Sequence, residues 1–352
     1  MARYTDLYTS IPTQWVGPIS ITGPVMTETL SVPLATYESP LWPSTGRGAK
    51  VSRACSGIRC TLIDERMTRS VALRADNAAA AHEAWQSISA RQDDMNKIVK
   101  STSRFAELIG LNRQIVGPVL YLRFECSTGD AAGHNMVTKA ADALLEWVLK
   151  EYPQLSYSTI SANYCTDKKN GAVNGILGRG KYVIAEIDIP RDICQKMLRT
   201  TPEKITQLNI EKNFIGGILA GSVRSANAHF ANMLLAFYLA TGQDAANIIE
   251  GSQGIVHCDV RNDSLYFSVT VPNLIIGTVG NGKAGPEIEQ TLAKMGCRDE
   301  REPGENARRL AVICAATILC GELSLMAAQT NPAELMRSHI LMERASEGEK
   351  EH

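Results

Sequence analysis

The sequence predicts an α+β protein in which a small unit is inserted into a larger one, and three observations carry this prediction. Residues 70–158 show helix, strand, helix and strand signals in turn, which suits a small α+β insertion. The rest of the chain mixes strand-like alternation with amphipathic stretches. Three helix signals close the chain, at 286–295, 305–328 and 332–345. With 352 residues, 44% of them hydrophobic, the chain is long enough for two or three domains.

The individual elements follow from local signals along the chain. Residues 1–66 are rich in Pro, Gly, Thr and Ser, which predicts extended segments and turns. An Ala-rich helix is expected at 77–92, and a second helix is expected to begin with Ser101 or Thr102 as its cap. The other predicted strands are 118–125, 157–162, 182–189, 265–271 and 274–279, and the other predicted helices are 129–151, 191–199 and 226–241.

Composition narrows the class of protein. Lysine plus arginine number 36 and aspartate plus glutamate 37, so no basic excess favours a nucleic-acid surface. Nine scattered cysteines without a CxxC pair argue against a zinc site or a disulfide framework and fit a reducing compartment. The N-terminus lacks an apolar signal core, and the most apolar stretch, 310–319, is too short to span a membrane. We therefore expect a cytoplasmic protein without a metal, membrane or nucleic-acid partner.

Two glycine-rich loops each leave two interpretations open. Residues 280–285 match the GxGxxG pattern, but they lie too late in the chain for a Rossmann fingerprint. They also miss a P-loop, because Ala284 stands where a serine or threonine hydroxyl is needed. The loop is either a tight strand-to-helix turn or a site where backbone amides contact a cofactor. Residues 128–136 are likewise either an ordinary helix start or a place where a ligand approaches closely.

The segment 163–169, Asn-Tyr-Cys-Thr-Asp-Lys-Lys, is the strongest candidate for catalytic chemistry. A lysine held beside a carboxylate can present a fixed positive charge to an oxygen that becomes negative during a reaction. The alternative for an isolated Asp-Lys-Lys is a solvated turn with a surface ion pair. The catalytic interpretation is favoured over the solvated turn because three further ionisable residues accompany Lys168 along the chain: Glu38, Asp244 and His339.

These residues, in this order, resemble the class I 3-hydroxy-3-methylglutaryl-CoA (HMG-CoA) reductase family over about residues 16–344. The matching motifs are Ala-Asn-Tyr-Cys-Thr-Asp-Lys-Lys at 162–169, Gly-Arg-Gly-Lys at 178–181, Ala-Thr-Gly-Gln-Asp at 240–244, Gly-Thr-Val-Gly at 277–280 and Pro-Gly-Glu-Asn-Ala-Arg at 303–308. The resemblance implies a large α/β HMG-CoA-binding domain with a central helix, made of residues 1–69 and 171–352. It also implies an inserted ferredoxin-like NADP-binding domain at 70–158 and a catalytic connecting loop at 159–170.

The implied reaction is the four-electron reduction of the HMG-CoA thioester to mevalonate and CoA with two NADPH, a step of isoprenoid biosynthesis. By resemblance, Lys168 stabilises the oxyanion and His339 protonates the departing CoA thiolate. Glu38 donates a proton to the aldehyde oxygen, which requires burial or a nearby anion to keep that proton in place. Asp244 lies between Glu38 and Lys168 and couples them.

The resemblance also implies binding residues and an assembly. The residues implied for the hydroxymethylglutaryl group are Arg69, Ser161, Asn163, Asp167, Lys169, Lys212 and Asn232, and those for CoA are Ser44, Arg47, His229 and Ser338. Those implied for the dinucleotide are Ser103, Arg104, Phe105, Asp130, Asn135, Met136, Gly280 and Gly282. Arg104 facing the 2′-phosphate favours NADPH over NADH. A homodimer, or a multiple of dimers, with a shared active site is expected.

Several positions depart from the family pattern and leave two alternatives open. The departures near the acyl pocket are Tyr37, Ser39, Pro40, Arg224 and Ser225, and His134 stands where methionine is usual. One alternative is therefore a reductase of a different acyl-CoA thioester. The other is a catalytically silent homologue that binds CoA or a nucleotide, although Glu38, Lys168, Asp244 and His339 are all retained.

Overall fold

The structure is a computed structural model that describes residues 9–280, 282, 283, 285–334, 336 and 340. The strands are β1 Thr13–Thr22, β2 Glu28–Ala35, β3 Ile58–Arg74, β4 Glu107–Val116, β5 Val119–Ser127, β6 Ser156–Thr159, β7 Gly180–Pro190, β8 Ile255–Arg261 and β9 Ser264–Leu274. The α-helices are α1 Leu41–Ala54, α2 Ala78–Ser89, α3 Gln92–Thr102, α4 His134–Glu151, α5 Val173–Leu177, α6 Arg191–Ile193, α7 Pro202–Leu208, α8 Gly217–Leu219, α9 Phe230–Ala240, α10 Ile248–Gly251, α11 Pro286–Lys294 and α12 Glu305–Gln329. Two π-helical segments, Cys194–Leu198 and Asn209–Gly216, and one 3-10 turn, Ala245–Asn247, complete the helical parts.

Strand β3 connects two parts of the sheet because it is 17 residues long. Its first half pairs with β7 in a set of strands ordered β2-β1-β3-β7-β9-β8. Its second half, from Met67 to Arg74, pairs with β5 and β6, so that β4, β5, β3 and β6 form an antiparallel set. Helices α2, α3 and α4 contact this second set.

Two hydrophobic cores lie on the two halves of β3. The larger core contains Ile58 and Cys60 of β3 and is built around α12, in which 20 residues are buried. By length and hydropathy α12 could cross a bilayer, but 94% of its apolar window is buried inside the protein, so it is a central core helix. The second core draws on residues 67–155 together with Ile275.

The α+β class and the central helix are confirmed, whereas several local predictions are wrong. Helix α1 lies in the region predicted to be extended, and β9 ends at Leu274 without a separate strand at 274–279. The helix expected to begin at Ser101 or Thr102 instead ends there. Both hydroxyls donate backwards, to the carbonyl oxygens of Ile98 and Val99 at 2.7 Å, so they bond the last turn of α3.

The Ala-rich helix expected at 77–92 is present as α2, which begins after Asn77, where the Asn77 side chain accepts a hydrogen bond from the Ala80 N–H at 2.9 Å. The expected boundary between the two domains, at residues 69 and 70, falls within the continuous strand β3. The division of the chain into domains stays a prediction. The helix predicted at 332–345 falls largely on residues outside the described part of the chain.

Candidate active site

Residues 163–169, which we call the Lys168 loop, connect β6 to α5 through a series of tight turns. The Thr166 N–H donates to the Asn163 carbonyl oxygen at 3.0 Å, and the Lys169 N–H donates to the Thr166 carbonyl oxygen at 3.3 Å. Asn163, Thr166 and Lys168 all have positive φ, at 61°, 34° and 55°. The loop directs the Lys168 side chain to Asp244, with Nζ and Oδ2 2.6 Å apart.

Asp244 is positioned by the end of α9 and by the turn that follows it. Its Oδ1 accepts a hydrogen bond from the Ala246 N–H at 3.1 Å. Burial alone would raise the pKa of Asp244, but the hydrogen bond from Lys168 and the Ala246 N–H outweigh this effect and lower it. Asp244 is therefore ionised at neutral pH, and its charge fixes the ammonium group of Lys168.

Asp167 lies in a cluster of positive groups beside this pair. Its Oδ1 accepts from Nη2 of Arg179 at 2.7 Å, and Nη2 of Arg69 lies 3.8 Å from its Oδ2. Nε2 of His134 lies 3.7 Å from Oδ1. Partial burial opposes ionisation of Asp167, but Arg179, His134 and Arg69 outweigh it and lower its pKa. Burial and the nearby arginine lower the pKa of His134 to about 4, so this imidazole is neutral at pH 7.

The structure places most of the residues predicted for the acyl pocket close to the Lys168 loop. Arg69 donates to Ser161 Oγ at 3.3 Å and to Thr138 Oγ1 at 2.7 Å. Five of the seven residues implied for the hydroxymethylglutaryl group therefore lie in or beside the Lys168 loop: Arg69, Ser161, Asn163, Asp167 and Lys169.

A cavity of about 570 Å³ opens in front of the Lys168–Asp244 pair. It is bounded by the start of α4 and by the glycine loop after β9. The candidate dinucleotide residues that line it are Asn135, Met136, Gly280 and Gly282. Lys283 also lines it, and burial lowers the pKa of this lysine to about 8, against the attraction of Asp244.

The other candidate dinucleotide residues are absent from the described lining of this cavity, although the Asp130 carbonyl oxygen accepts the N–H of the lining residue Val279 at 3.3 Å. Both carboxylate oxygens of Asp130 accept backbone N–H groups at the start of α12, from Gly304 and Ala307, at 2.9 Å each. Asp130 therefore caps the central helix. Ser103, Arg104 and Phe105 follow α3, where the Arg104 guanidinium stacks 4.6 Å from the Phe105 ring centre.

A second group of candidate residues surrounds the start of α9. Glu38 is exposed, and its Oε2 accepts a hydrogen bond from Nδ2 of Asn232 at 2.8 Å. The neighbouring His229 lies 3.9 Å from Oε1 of the fully buried Glu322. Lys212 also acts electrostatically on Glu322, which assigns it to this group.

Two of the residues implied for CoA bond to α12 rather than to the Lys168 loop. Ser44 Oγ donates to Ser324 Oγ at 2.9 Å, and Arg47 donates to the Ser324 carbonyl oxygen at 2.5 Å and to Glu334 at 2.8 Å. Ser338, which is also implied for CoA, and His339, which is implied as the catalytic acid, lie outside the described residues.

Among the residues that the structure describes, no hydrogen bond or ion pair joins the Lys168–Asp244 group to the Glu38–Asn232 group. Glu38 lies beside the first turn of α9, and Asp244 follows its last turn. The helix from Asn232 to Ala240 spans about 12 Å at 1.5 Å per residue. Among the described residues, no ion pair joins Glu38 to Lys168.

Comparison with known proteins identifies the family. Residues 8–344 match the sequence profile described as hydroxymethylglutaryl-coenzyme A reductase. The chain belongs to the hydroxymethylglutaryl-coenzyme A reductase family. The 3-hydroxy-3-methylglutaryl-coenzyme A reductase of Pyrococcus horikoshii is 44% identical over 337 residues, covering 95% of this chain and 81% of that protein. The reductase of Aeropyrum pernix is 40% identical over 336 residues, covering 95% of this chain and 79% of that protein.

A solved reductase structure agrees with the fold. The class II 3-hydroxy-3-methylglutaryl-CoA reductase from Streptococcus pneumoniae, bound to NADPH, superposes with a TM-score of 0.74 at 18% identity and covers 94% of this chain and 88% of that one. At this identity the likeness supports the fold. The class I resemblance fits the archaeal origin of the sequence relatives. The alternative of a different acyl-CoA substrate is not favoured, because these relatives carry the HMG-CoA reductase name.

The residues near the acyl pocket that depart from the family pattern lie in loops and beside helices α1 and α5. Tyr37 is 70% exposed, and its hydroxyl donates to the Ser10 carbonyl oxygen at 3.0 Å. Ser39 and Pro40 precede α1. Arg224 has a φ of 51° and packs against Gly175 of α5, and the Ser225 hydroxyl donates to Val223 at 3.3 Å.

Sequence reasoning gave no role to two buried residues that organise the site, Arg179 and Glu250. Their side chains are 0% exposed. Arg179 lies in the Gly-Arg-Gly-Lys motif, but its residue type predicts exposure, because arginine is almost never fully buried unless it is paired. Nothing in the sequence distinguishes Glu250 from a surface glutamate.

Proposed function

We propose that this chain reduces HMG-CoA to mevalonate and CoA with two NADPH. The observation that carries the proposal is the Lys168–Asp244 pair, held at 2.6 Å at the edge of a cavity of about 570 Å³. When a hydride adds to a thioester carbonyl, the carbonyl oxygen becomes an oxyanion. A preorganised ammonium group stabilises such an oxyanion, and one well-placed donor is worth about 2.7–4 kcal/mol.

Asp244 holds the Lys168 ammonium group in place during both reductions. The ammonium group has three N–H donors, so one can remain on Asp244 while another meets the substrate oxygen. Arg69, Ser161 and Lys169 offer N–H and O–H donors for the free carboxylate of the hydroxymethylglutaryl group, and Asp167 lies 3.8 Å from the Arg69 guanidinium.

The residues around the cavity fit an anionic dinucleotide. The start of α4 presents backbone N–H groups and the positive end of a helix of 18 residues. A Cβ at Gly280 would meet nothing within 4 Å, so the backbone here leaves room for a ligand. The buried Nε2 of His134 has no hydrogen-bond partner among the described residues. When bound, NADPH supplies the hydride, and Arg104 is the residue we assign to its 2′-phosphate.

The acid–base half of the site lies near Glu38, which we propose faces the Lys168 loop of a partner subunit. Three observations support a shared site: Glu38 and Tyr37 are exposed, Glu38 is bonded to Asn232, and α9 separates this group from Asp244. Glu38 is the proposed donor of the proton that the aldehyde oxygen requires. His339 is the proposed donor to the CoA thiolate. We further propose that the enzyme is a cytoplasmic homodimer or a multiple of dimers, which accords with nine free thiols.

The reaction is tested by following NADPH loss with HMG-CoA and by identifying mevalonate and free CoA as products. Acetyl-CoA serves as the control thioester, and NADH as the control cofactor. Turnover of HMG-CoA with NADPH and none with acetyl-CoA is the expected result. Absence of mevalonate with a folded enzyme would refute the proposal.

The shared site is tested by mixing two inactive variants, Lys168→Met and Glu38→Gln. If each site takes Lys168 from one subunit and Glu38 from its partner, a mixed dimer contains one intact site. Random 1:1 assembly then restores about one quarter of the wild-type activity. No recovery in mixed oligomers, verified with two affinity tags, would mean that each chain carries its own complete site.

A further inference from the structure

The Lys168 loop has a backbone that its own sequence does not favour. Three of its residues other than glycine, Asn163, Thr166 and Lys168, have positive φ. Each residue in this region costs on the order of 1 kcal/mol or more and persists only where its surroundings fix it. Whatever fixes the loop therefore also fixes the direction of the Lys168 side chain.

The guanidinium of Arg179 is one of the groups that fix the loop. Its Nη2 donates to Oδ1 of Asp167 at 2.7 Å, and its Nη1 donates to the carbonyl oxygen and the hydroxyl of Thr68 at 2.5 and 3.0 Å. Its Nε lies 3.7 Å from Oε1 of Glu250. One fully buried cation thus joins β3, the loop and α10.

Glu250 acts on the backbone of Lys168 itself. Its Oε1 accepts the Lys168 N–H at 3.2 Å and Nδ2 of Asn247 at 2.9 Å. Its Oε2 is buried and has no hydrogen-bond partner among the described residues. Burial raises the pKa of Glu250, and Arg179 and these hydrogen bonds act against that effect.

Stability alone is a weak reason for this arrangement. Replacing a buried ion pair by apolar residues of similar volume is often neutral or stabilising, because both charges lose their hydration. The geometry supplies a better reason, since the two charged groups hold residue 167 by its side chain and residue 168 by its N–H. Lys168 and Asp244 line the cavity, whereas Arg179 and Glu250 are absent from its described lining.

We propose that Arg179, acting with Glu250, is a positioning residue for the reduction. The two side chains hold the Lys168 peptide in its left-handed conformation, so that Nζ stays on Asp244 and points into the cavity. This inference rests on the proposed function, because it assigns the pair a role in the reaction of Lys168. Neither residue is in the described lining of the cavity, so the pair is expected to affect kcat more than binding.

Arg179→Lys tests the proposal because lysine keeps the charge but cannot bridge Thr68, Asp167 and Glu250 together. The expected result is a fall in kcat of about 10- to 100-fold, the range caused by misplacing a catalytic group. KM for both substrates should stay within about threefold. Arg309→Lys is the matched control: Arg309 is 6% exposed and bonds Glu28 at 2.8 and 2.6 Å, and it should retain wild-type kcat.

A second series keeps the test decisive if Arg179→Lys does not fold. Glu250→Gln retains a carbonyl oxygen for the Lys168 N–H, whereas Glu250→Ala does not. Positioning predicts that kcat decreases in the order wild type, Gln, Ala at unchanged KM. Wild-type kcat in Glu250→Ala, or KM values that rise in step with the loss of kcat in both variants, would overturn the proposal.

Amide hydrogen exchange supplies a readout that does not depend on turnover. In Arg179→Lys and Glu250→Ala, segment 163–170 should exchange about tenfold faster or more than in the wild type, while β8 and β9 stay unchanged. Unchanged exchange in the loop would overturn the positioning role even if kcat falls. If the wild type fails to reduce HMG-CoA, the proposed function fails, and the exchange data still decide whether Arg179 and Glu250 hold the loop.

Discussion

Replacing Lys168 with methionine should separate catalysis from stability. The Lys168 and Asp244 side chains are 38% and 46% exposed, so water compensates for the lost ion pair. The expected loss of stability is below about 1 kcal/mol, as for other exposed pairs. Residue 168 is not glycine in either protein, so the strain of its φ of 55° is common to both. A loss of this size shifts Tm by no more than about 1–2 °C in a chain of 352 residues.

The rate effect should be far larger than the stability effect. Losing one oxyanion donor costs about 10²- to 10³-fold in kcat, and Lys168 carries a full charge, so we expect at least this loss. The assay is NADPH oxidation with HMG-CoA, paired with thermal unfolding of the same preparations. Lys196→Met is the matched control, because Lys196 is 76% exposed and its 3.4 Å pair with Asp192 lies on the surface.

Two results would refute this reasoning. If kcat of Lys168→Met stays within about threefold of the wild type, Lys168 does not stabilise the oxyanion, because removal of even one neutral donor lowers kcat by more than this. A fall in unfolding free energy above about 3 kcal/mol would show that the pair behaves as a buried structural ion pair. The Lys196→Met control should differ from the wild type in neither measurement.

Three further predictions concern other charged residues of the candidate site. The folded-state pKa values of Asp167 and Asp244 lie below their unfolded values, so the native state binds fewer protons and stability falls as the pH drops below about 4. Urea unfolding between pH 7 and pH 3 should show this loss, and it should be shallower in Asp244→Asn. The pKa of Lys283 is lowered to about 8, so KM for NADPH should rise as the pH passes through 8 and lose this dependence in Lys283→Met. Arg104→Gln should raise KM for NADPH and leave KM for NADH unchanged, as measured by steady-state kinetics.

The sequence predicted the elements whose signals are local. The apolar spacing of α4 and the Ala-rich run of α2 are local signals, and the structure has a helix at both places. Helix α1 was missed because Pro43, Gly46 and Gly48 weaken its helix propensity. Gly48 is nevertheless required, because a Cβ there would lie 2.5 Å from the Cα of Cys320 on α12. The packing of α1 against α12 therefore outweighs the low helix propensity of α1. The local sequence of α1 cannot show this, because the contact depends on a distant segment of the chain.

The candidate site was predictable to the extent that its residues lie in recognisable motifs. Lys168 and Asp244 each lie in one, and the structure brings them together. Glu250 accepts a hydrogen bond from Lys168 although the two residues are 82 positions apart in the sequence. No local sequence pattern predicts that the Glu250 carboxylate is fully buried. The separation of Glu38 from Lys168 is also invisible in the sequence, because it depends on which end of α9 each residue adjoins.

The site lies where β3 passes from one hydrophobic core to the other. Thr68 and Arg69 are consecutive residues on this strand: Thr68 accepts from Arg179, which holds the Lys168 loop, and Arg69 bonds Thr138 on α4. The start of α4 bounds the cavity proposed for the dinucleotide. A single strand therefore sets the distance between the cation that stabilises the oxyanion and the helix proposed to bind the hydride donor. A small shift of β3 would displace both Lys168 and the start of α4. The buried Arg179 and Glu250 side chains, which tie the Lys168 loop to β3 and α10, therefore keep Lys168 at a fixed distance from α4.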